Sequence, residues 1–242
     1  MAESIIHRDV KIYLIGPMQE SLSILDAARK MTKRAERLAL LVGDPGSGKS
    51  TSCQIYAERH PREVCYLQIP AKVLLKPGTI IKLLQNALEI NAPITQDNHR
   101  ACEQIIRQLR ERPRMLLLDE ADRLPYNLVD LVRYIHDESG CRVVFAGLPR
   151  VEKHFRLDPV LGDRVGLRYQ LKPLQRKDLR EIEVLNGLDE DVLDAVYDIT
   201  NGNMRRIMVL TSHIEAMLSN NTAITAKRIE RAAGYLTVRG VA

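Results

Sequence analysis

Apolar positions along this chain follow two rhythms. Short apolar-rich runs at 38–42, 64–69, 115–118, 141–146 and 167–171 are too brief for helices and carry β-branched or leucine residues, so they predict strands. Between them, stretches ending near Arg59 and at 79–90, 97–112 and 127–138 place apolar residues three and four apart, which predicts helices. Pro61, the Asn91-Ala92-Pro93 break and Gly140 punctuate them. A more polar stretch with Pro159 and Gly162 precedes the run at 167–171. Ahead of the first strand, Leu22, Leu25, Ala28 and Met31 recur at helical spacing, and Arg29, Lys30, Lys33, Arg34 and Arg37 fill the other positions. An amphipathic helix with a basic face is expected there. Strands alternating with helices imply an α/β fold whose parallel sheet is flanked by helices on both faces. After Pro173 the strand rhythm stops, and 178–185, 191–200, 204–218 and 226–236 all read as helices. The chain therefore divides into an N-terminal segment, 1–37, an α/β core, 38–172, and a small C-terminal α-helical domain, 173–242.

Chemistry enters at the end of the first strand. Gly43-Asp44-Pro45-Gly46-Ser47-Gly48-Lys49-Ser50 fits G-x-x-x-x-G-K-S/T between a predicted strand and a predicted helix, the context a phosphate-binding loop requires. Its glycines let backbone N–H groups turn inward around phosphates, and the helix N-terminus adds positive potential. Lys49 is placed to reach the β and γ phosphates and Ser50 to ligate Mg2+, so ATP with magnesium is the ligand expected. The run at 115–118 ends in Asp119-Glu120. An acidic pair at a strand end is common, but beside a phosphate loop it assigns Asp119 to the magnesium and Glu120 to the water that attacks the γ-phosphate. The separate strand at 64–69, between loop and acidic pair in sequence, favours an ATPase over a small-molecule kinase, for which no acceptor pocket is legible.

Composition narrows the partners only a little. The formal charge of +5 and pI of about 9.0 are compatible with a polyanion without demanding one. With no Trp and 2 Phe, a base-stacking platform for single strands is disfavoured. Cys53, Cys65, Cys102 and Cys141 form no C-x-x-C pair, which argues for reduced, buried thiols rather than a zinc site or disulfides. The N-terminus has no signal-peptide pattern, and no apolar run approaches the ~18 residues of a membrane span. A cytoplasmic protein with no membrane association is expected.

These motifs resemble the AAA+ ATPases, which carry a phosphate loop, an Asp-Glu strand end and a helical lid. Within that family, VGDPGSGKS, LLLDEADRL, VVFAGLPRV and NGNMRRIM, in this order and spacing, are most similar to the DNA-transposition ATPases of the MuB and TnsC type. The resemblance implies that residues 43–50 with Thr51, Asp119 and Arg205 bind the nucleotide. It implies that Arg205, in Gly202-Asn203-Met204-Arg205-Arg206, senses the γ-phosphate, a task that suits a permanently charged guanidinium. Arg164 matches the region from which relatives supply an arginine finger to a neighbour's ATP, with Arg150 and Arg168 as competitors. One position departs from the pattern: Leu148 stands where many relatives place a polar residue that helps hold the attacking water. Slow hydrolysis, dependent on assembly or a partner, is the expected result.

MuB- and TnsC-like subunits stack, with ATP at their interfaces, around duplex DNA, so the resemblance also implies a homo-oligomer or filament, sequence-independent double-stranded DNA and a transposase as partners. It points to Lys72 and Lys76, after the second strand, and to the loop near Thr95 and Arg100, as contacts to backbone phosphate. The 37 residues before the first core strand are too few for the helix-turn-helix domain of larger MuB-type proteins, so the ATPase core is expected to carry any DNA contact. A replication initiator or helicase loader would share the core, and an initiator would add a winged helix for which the chain leaves no room. A signalling ATPase would respond to protein and not to DNA.

Overall fold

The computed structural model describes residues 3–7, 10–32, 37–91 and 97–238. These group into two units, one of Ser21–Asp44 and Lys49–Leu171, the other of Met1–Glu20, Pro45–Gly48 and Lys172–Ala242.

The first unit is built on a five-stranded parallel sheet. Its strands are β3 (Leu38–Val42), β4 (Val64–Gln68), β5 (Met115–Asp119), β6 (Val143–Gly147) and β7 (Val165–Gln170), in the spatial order β4-β5-β6-β3-β7. β3, β5 and β6 are buried at all five positions, which is why their sequences are continuous apolar runs rather than alternating ones. β7 lies at the edge and alternates half-buried with exposed residues. Although 64–68 lies between loop and acidic pair in sequence, in the sheet it is the opposite edge strand. The strand interposed between β3 and β5 is β6.

Successive side chains of the inner strands feed two cores. Leu38, Leu40, Val42, Leu116, Leu118, Val143 and Phe145 share one with α3 (Pro77–Ala87), α4 (Asn98–Glu111) and α5 (Tyr126–Ser139). Ala39, Leu41, Met115, Leu117, Val144 and Ala146 share the other with Leu25 and Ala28 of α1 (Pro17–Arg29) and Cys53 and Tyr56 of α2 (Lys49–Arg59). Each fully buried leucine contributes about 1.5–3 kcal/mol on transfer grounds. Local signals set the helix ends: Pro77 occupies the first turn of α3, the Asp97 carboxylate accepts from His99 N–H at 2.9 Å to start α4, and Gly140, at φ 72°, stops α5. Two short helices, α6 (Glu152–Leu157) and α7 (Pro159–Gly162), occupy the polar stretch before β7.

An arginine stands immediately before each of β3, β5, β6 and β7, at the sheet edge where those strands begin. Arg37 donates to the carbonyls of Gly140 (2.8 Å) and Thr32 (2.6 Å), and Arg142 to that of Met31 (2.8 Å). Arg114 donates to Val64 O (2.7 Å) and Pro61 O (3.0 Å), while Arg164 forms an ion pair with Asp137. Several of these carbonyls lie at or just beyond the C-terminal ends of α1, α2 and α5, where carbonyls lack intrahelical partners and a cation is favoured. The basic face expected on α1 is likewise engaged: Arg29 pairs with Asp26 (2.8 Å) and Glu63 and donates to the Tyr56 hydroxyl (2.9 Å). Lys33 and Arg34 lie outside the described residues.

The second unit contains an antiparallel hairpin, β1 (Glu3–His7) with β2 (Val10–Leu14), to which the sequence reading assigned no structure. It also holds the helices α8 (Glu190–Thr200), α9 (Met204–Ser219) and α10 (Ala226–Val238). The α-helix expected at 178–185 is replaced by two 3₁₀ segments, Arg176–Glu181 and Glu183–Leu185, separated by extended Ile182. The buried residues there, Leu179, Ile182 and Leu185, are spaced by three, which matches the threefold turn of a 3₁₀ helix.

Candidate functional site

The loop after β3 opens with Gly43, whose N–H donates to Gly147 O at the end of β6 (3.2 Å). Gly46 (φ +78°) and Gly48 (φ +91°) adopt left-handed backbone that other residues enter only with strain. α2 then begins at Lys49, which is 8% exposed. Its ammonium donates to Gly43 O at 2.5 Å and Asp44 O at 2.8 Å, folding back beneath the loop. Burial pushes the Lys49 pKa down, and the charges of Asp119 and Asp44 oppose that shift. Ser50 and Thr51 follow, half-buried, in the first turn of α2.

Asp119 closes β5 with its side chain 1% exposed. Its carboxylate accepts from the Tyr66 hydroxyl (3.0 Å) and from Glu120 N–H (2.8 Å). Tyr66, on the neighbouring β4, also accepts from Gln54 of α2 at 3.2 Å. Burial, followed by the charge of Asp119, raises the Tyr66 pKa, so the phenol stays protonated and remains a donor. Glu120 takes a left-handed conformation (φ 57°), unusual for a residue with a side chain. Its carboxylate accepts from Gln68 Nε2 (3.3 Å) and is paired with Arg123.

β6 is followed by Leu148, the position at which the resemblance implies a polar side chain. Leu148 offers only its backbone N–H, which donates to Asp122 Oδ1 at 3.0 Å. Asp122, its side chain 5% exposed, also accepts from Arg150 Nε at 2.8 Å. A Cβ on Gly147 would stand 2.7 Å from the same carboxylate, so the glycine admits Asp122 to the strand end. Arg150 therefore supplies the nearest cation along the chain, held from below and 59% exposed.

In the second unit the segment 45–48 of the loop is gripped from outside. Asn203 Nδ2 donates to Pro45 O at 2.8 Å and Arg205 N–H donates to Gly46 O at 3.1 Å. Arg205 itself is exposed in the first turn of α9.

The structure thus gathers Gly43, Asp44, Lys49, Asp119 and Glu120 at the edge where β3 and β5 end. Arg164 lies at the other edge, its carbonyl accepting from Leu38 N–H (3.3 Å) and its guanidinium on Asp137. At 3.3 Å per residue, the length of β3 alone puts it roughly 13–16 Å from the loop. Arg168, on edge strand β7, donates to Gly162 O (3.1 Å). Lys72 and Lys76 are exposed around a short 3₁₀ turn beyond β4, together with Val73 (87% exposed) and Leu74 (60%). Arg100 is exposed in the first turn of α4, and Thr95 lies outside the described residues. No group of three or more His, Cys, Asp or Glu able to hold a metal occurs among the described residues, and no helix among them is long and apolar enough to cross a membrane. Tyr66, Asp122 and Asn203 escaped the sequence reading. Tyr66, two residues before Gln68 on a strand facing the acidic one, carried the best available signal.

The family described as an AAA domain matches residues 32–155, just over half of the chain. A Haemophilus influenzae relative, the Mu-like prophage FluMu DNA transposition protein B, is 26% identical over 188 residues, 73% of this chain and 64% of its own. A potential ATP-binding protein of Staphylococcus aureus is 25% identical over 138 residues, 51% of each chain. Among solved structures, Cdc6p from Pyrobaculum aerophilum is similar at a TM-score of 0.63 and 19% identity, covering 84% of this chain and 62% of that one. The Orc1 protein of Aeropyrum pernix, solved in complex with DNA, gives 0.60 and 18%, over 91% and 64%. At those identities the likeness concerns the fold. The chain spans between about half and two-thirds of the length of each of these relatives.

Proposed function

Because the chain belongs to the AAA family of P-loop ATPases, we propose that it uses ATP binding and hydrolysis to govern its own assembly on duplex DNA, where it recruits or activates a transposase. The observation that carries the nucleotide half is the buried ammonium of Lys49, held by two loop carbonyls beside the sealed carboxylate of Asp119. These residues fit magnesium-ATP. Loop amides, Lys49 and Thr51 would hold the phosphates, Ser50 and Asp119 the magnesium, and Arg205 would read the γ-phosphate. Bound magnesium would neutralise charge building on the β and γ oxygens. Tyr66 orients Asp119 for that ligand. Glu120 is the base for the attacking water, and because one oxygen is on Gln68 and the other on Arg123, that pairing has to loosen before the carboxylate can receive the water. Together with apolar Leu148, this supports slow turnover that assembly or a partner accelerates.

Support for the DNA half comes from the transposition relative and from the segment 69–88, which holds Lys72, Lys76 and Lys82 and no acidic residue. Such a segment suits backbone phosphate of any sequence. With a non-hydrolysable ATP analogue the protein should form multimers on duplex DNA, visible by electron microscopy and released by ADP. Replacing Lys72 and Lys76 by Ala should shallow the salt dependence of binding by roughly one unit of slope per lost contact. Monomers with no ATP-dependent DNA affinity at low salt would defeat this reading and leave the ATPase standing. The likeness to initiators is one of fold, so a purified transposase and a purified replicative helicase should be compared as activators of hydrolysis. Stimulation by the helicase alone would replace the transposition reading.

A further inference from the structure

The phosphate loop is flexible by composition, since Gly46 and Gly48 leave its peptide planes free to rotate. Something outside the loop has to hold them. In the unit that contains 45–48, two donors do so: Asn203 Nδ2 on Pro45 O at 2.8 Å and Arg205 N–H on Gly46 O at 3.1 Å. In a trans peptide the C=O and the N–H of the next residue point in opposite directions. Fixing the carbonyls of Pro45 and Gly46 therefore fixes the directions of Gly46 N–H and Ser47 N–H, aimed away from the clasp.

The clasp itself is rigid. Asn203 Oδ1 accepts from Arg206 N–H at 3.2 Å and so caps α9, which means both ends of one amide are engaged. Asn203 N–H donates to Thr200 O at 3.0 Å. The preceding Gly202, at φ +68°, is wedged where a Cβ would come within 2.2 Å of Leu174 O, and Leu174 N–H donates back to Gly202 O at 2.9 Å. Gly46 completes the fit, because a Cβ there would stand 2.5 Å from Asn203 Oδ1 and 3.1 Å from Arg205 Cβ.

We infer that Asn203 is a positioning residue for nucleotide binding: its amide presets the loop peptides that receive the phosphates and ties them to the start of the helix bearing Arg205. This rests on the nucleotide reading above. The loop amides are preorganised from the far side, so the ordering that phosphate would otherwise have to impose is already present.

The two ends of the amide can be tested separately. Asn203→Asp keeps an oxygen able to cap α9 and has no donor for Pro45 O, whereas Asn203→Ser keeps a capping oxygen on a side chain too short for its hydroxyl to span the gap to Pro45 O. Each should unfold at the wild-type temperature within about 2 °C, yet bind a fluorescent ADP roughly tenfold more weakly, the worth of one hydrogen bond's ordering. The loss should lie in faster release. Asn203→Ala should lose thermal stability as well, because the cap goes with the donor. Wild-type ADP affinity in the Asp and Ser variants would overturn the inference. So would ADP loss in those two only in proportion to a fall in melting temperature. Wild-type protein is measured beside Lys49→Ala in the same titration: if neither binds ADP, the nucleotide site fails first and the positioning role with it.

Discussion

Lys49 shows how burial assigns a residue its task. An ammonium 8% exposed and held by two loop carbonyls is costly to keep, a cost that a bound polyanion would offset. Lys49→Ala should therefore lower ATP affinity by about two orders of magnitude or more in titration calorimetry, the scale of a charge-assisted phosphate contact. Unchanged affinity in folded protein would remove the site. Glu120→Gln keeps the shape and the Gln68 and Arg123 neighbours but loses basicity, so ATP should still bind while turnover falls about 100-fold or more. Turnover at the wild-type rate would take Glu120 out of that role. Both residues were legible in the sequence, because the loop motif and the acidic strand end are local patterns. Tyr66, Asp122 and Asn203 were not, since each acts on a residue distant in sequence, and only folding reveals that Tyr66 lies beside Asp119 and Asn203 beside Pro45. The four cysteines were read as buried thiols and are so, with Cys65 and Cys141 pushed up to about 11 chiefly by burial.

At the scale of elements, the inner strands were the most legible part of the fold, because a strand buried on both faces must be apolar at every position. The segment 178–185 misled because a three-residue apolar spacing is compatible with either helix type, and extended Ile182 decides for the tighter one. α1 shows charge patterning at work. Lys30, then Arg29, and to a smaller extent Tyr56 hold the Asp26 carboxyl down at about 2, below its ordinary 3.8. A depressed carboxyl adds stability above its unfolded pKa and loses it as pH falls through the folded one. Asp26→Asn should thus lower stability at pH 7 by no more than about 1 kcal/mol, given its partial exposure. In urea titrations the gap should narrow from about pH 4 downward and close near pH 2. A gap unchanged across that range would mean that packing, not charge, is what the substitution disturbs.

For the molecule as a whole, the formal charge of +5 is a poor guide to any binding face. Arg37, Arg114, Arg142 and Arg164 begin strands and hold carbonyls or Asp137, and Arg29 is paired, so they contribute charge on paper while holding the fold together. Arg164 is the one of that row proposed to serve a neighbour, and it must leave Asp137 to do so. Arg164→Ala should keep ATP binding by the monomer and lose cooperative assembly and DNA-stimulated hydrolysis, read by calorimetry and phosphate release. Retention of both would leave it a strut for Asp137. Under the role proposed for Arg164, its opposition to Gly43 across the sheet would also make turnover a measure of polymer length. In an open head-to-tail stack of such subunits, the last ATP always lacks a donor, so activity per subunit starts at about half its limit in a pair and climbs with every addition. An antiparallel couple serves both sites at once and is saturated at two. Specific activity followed against protein concentration therefore separates an open polymer from a closed couple without imaging either.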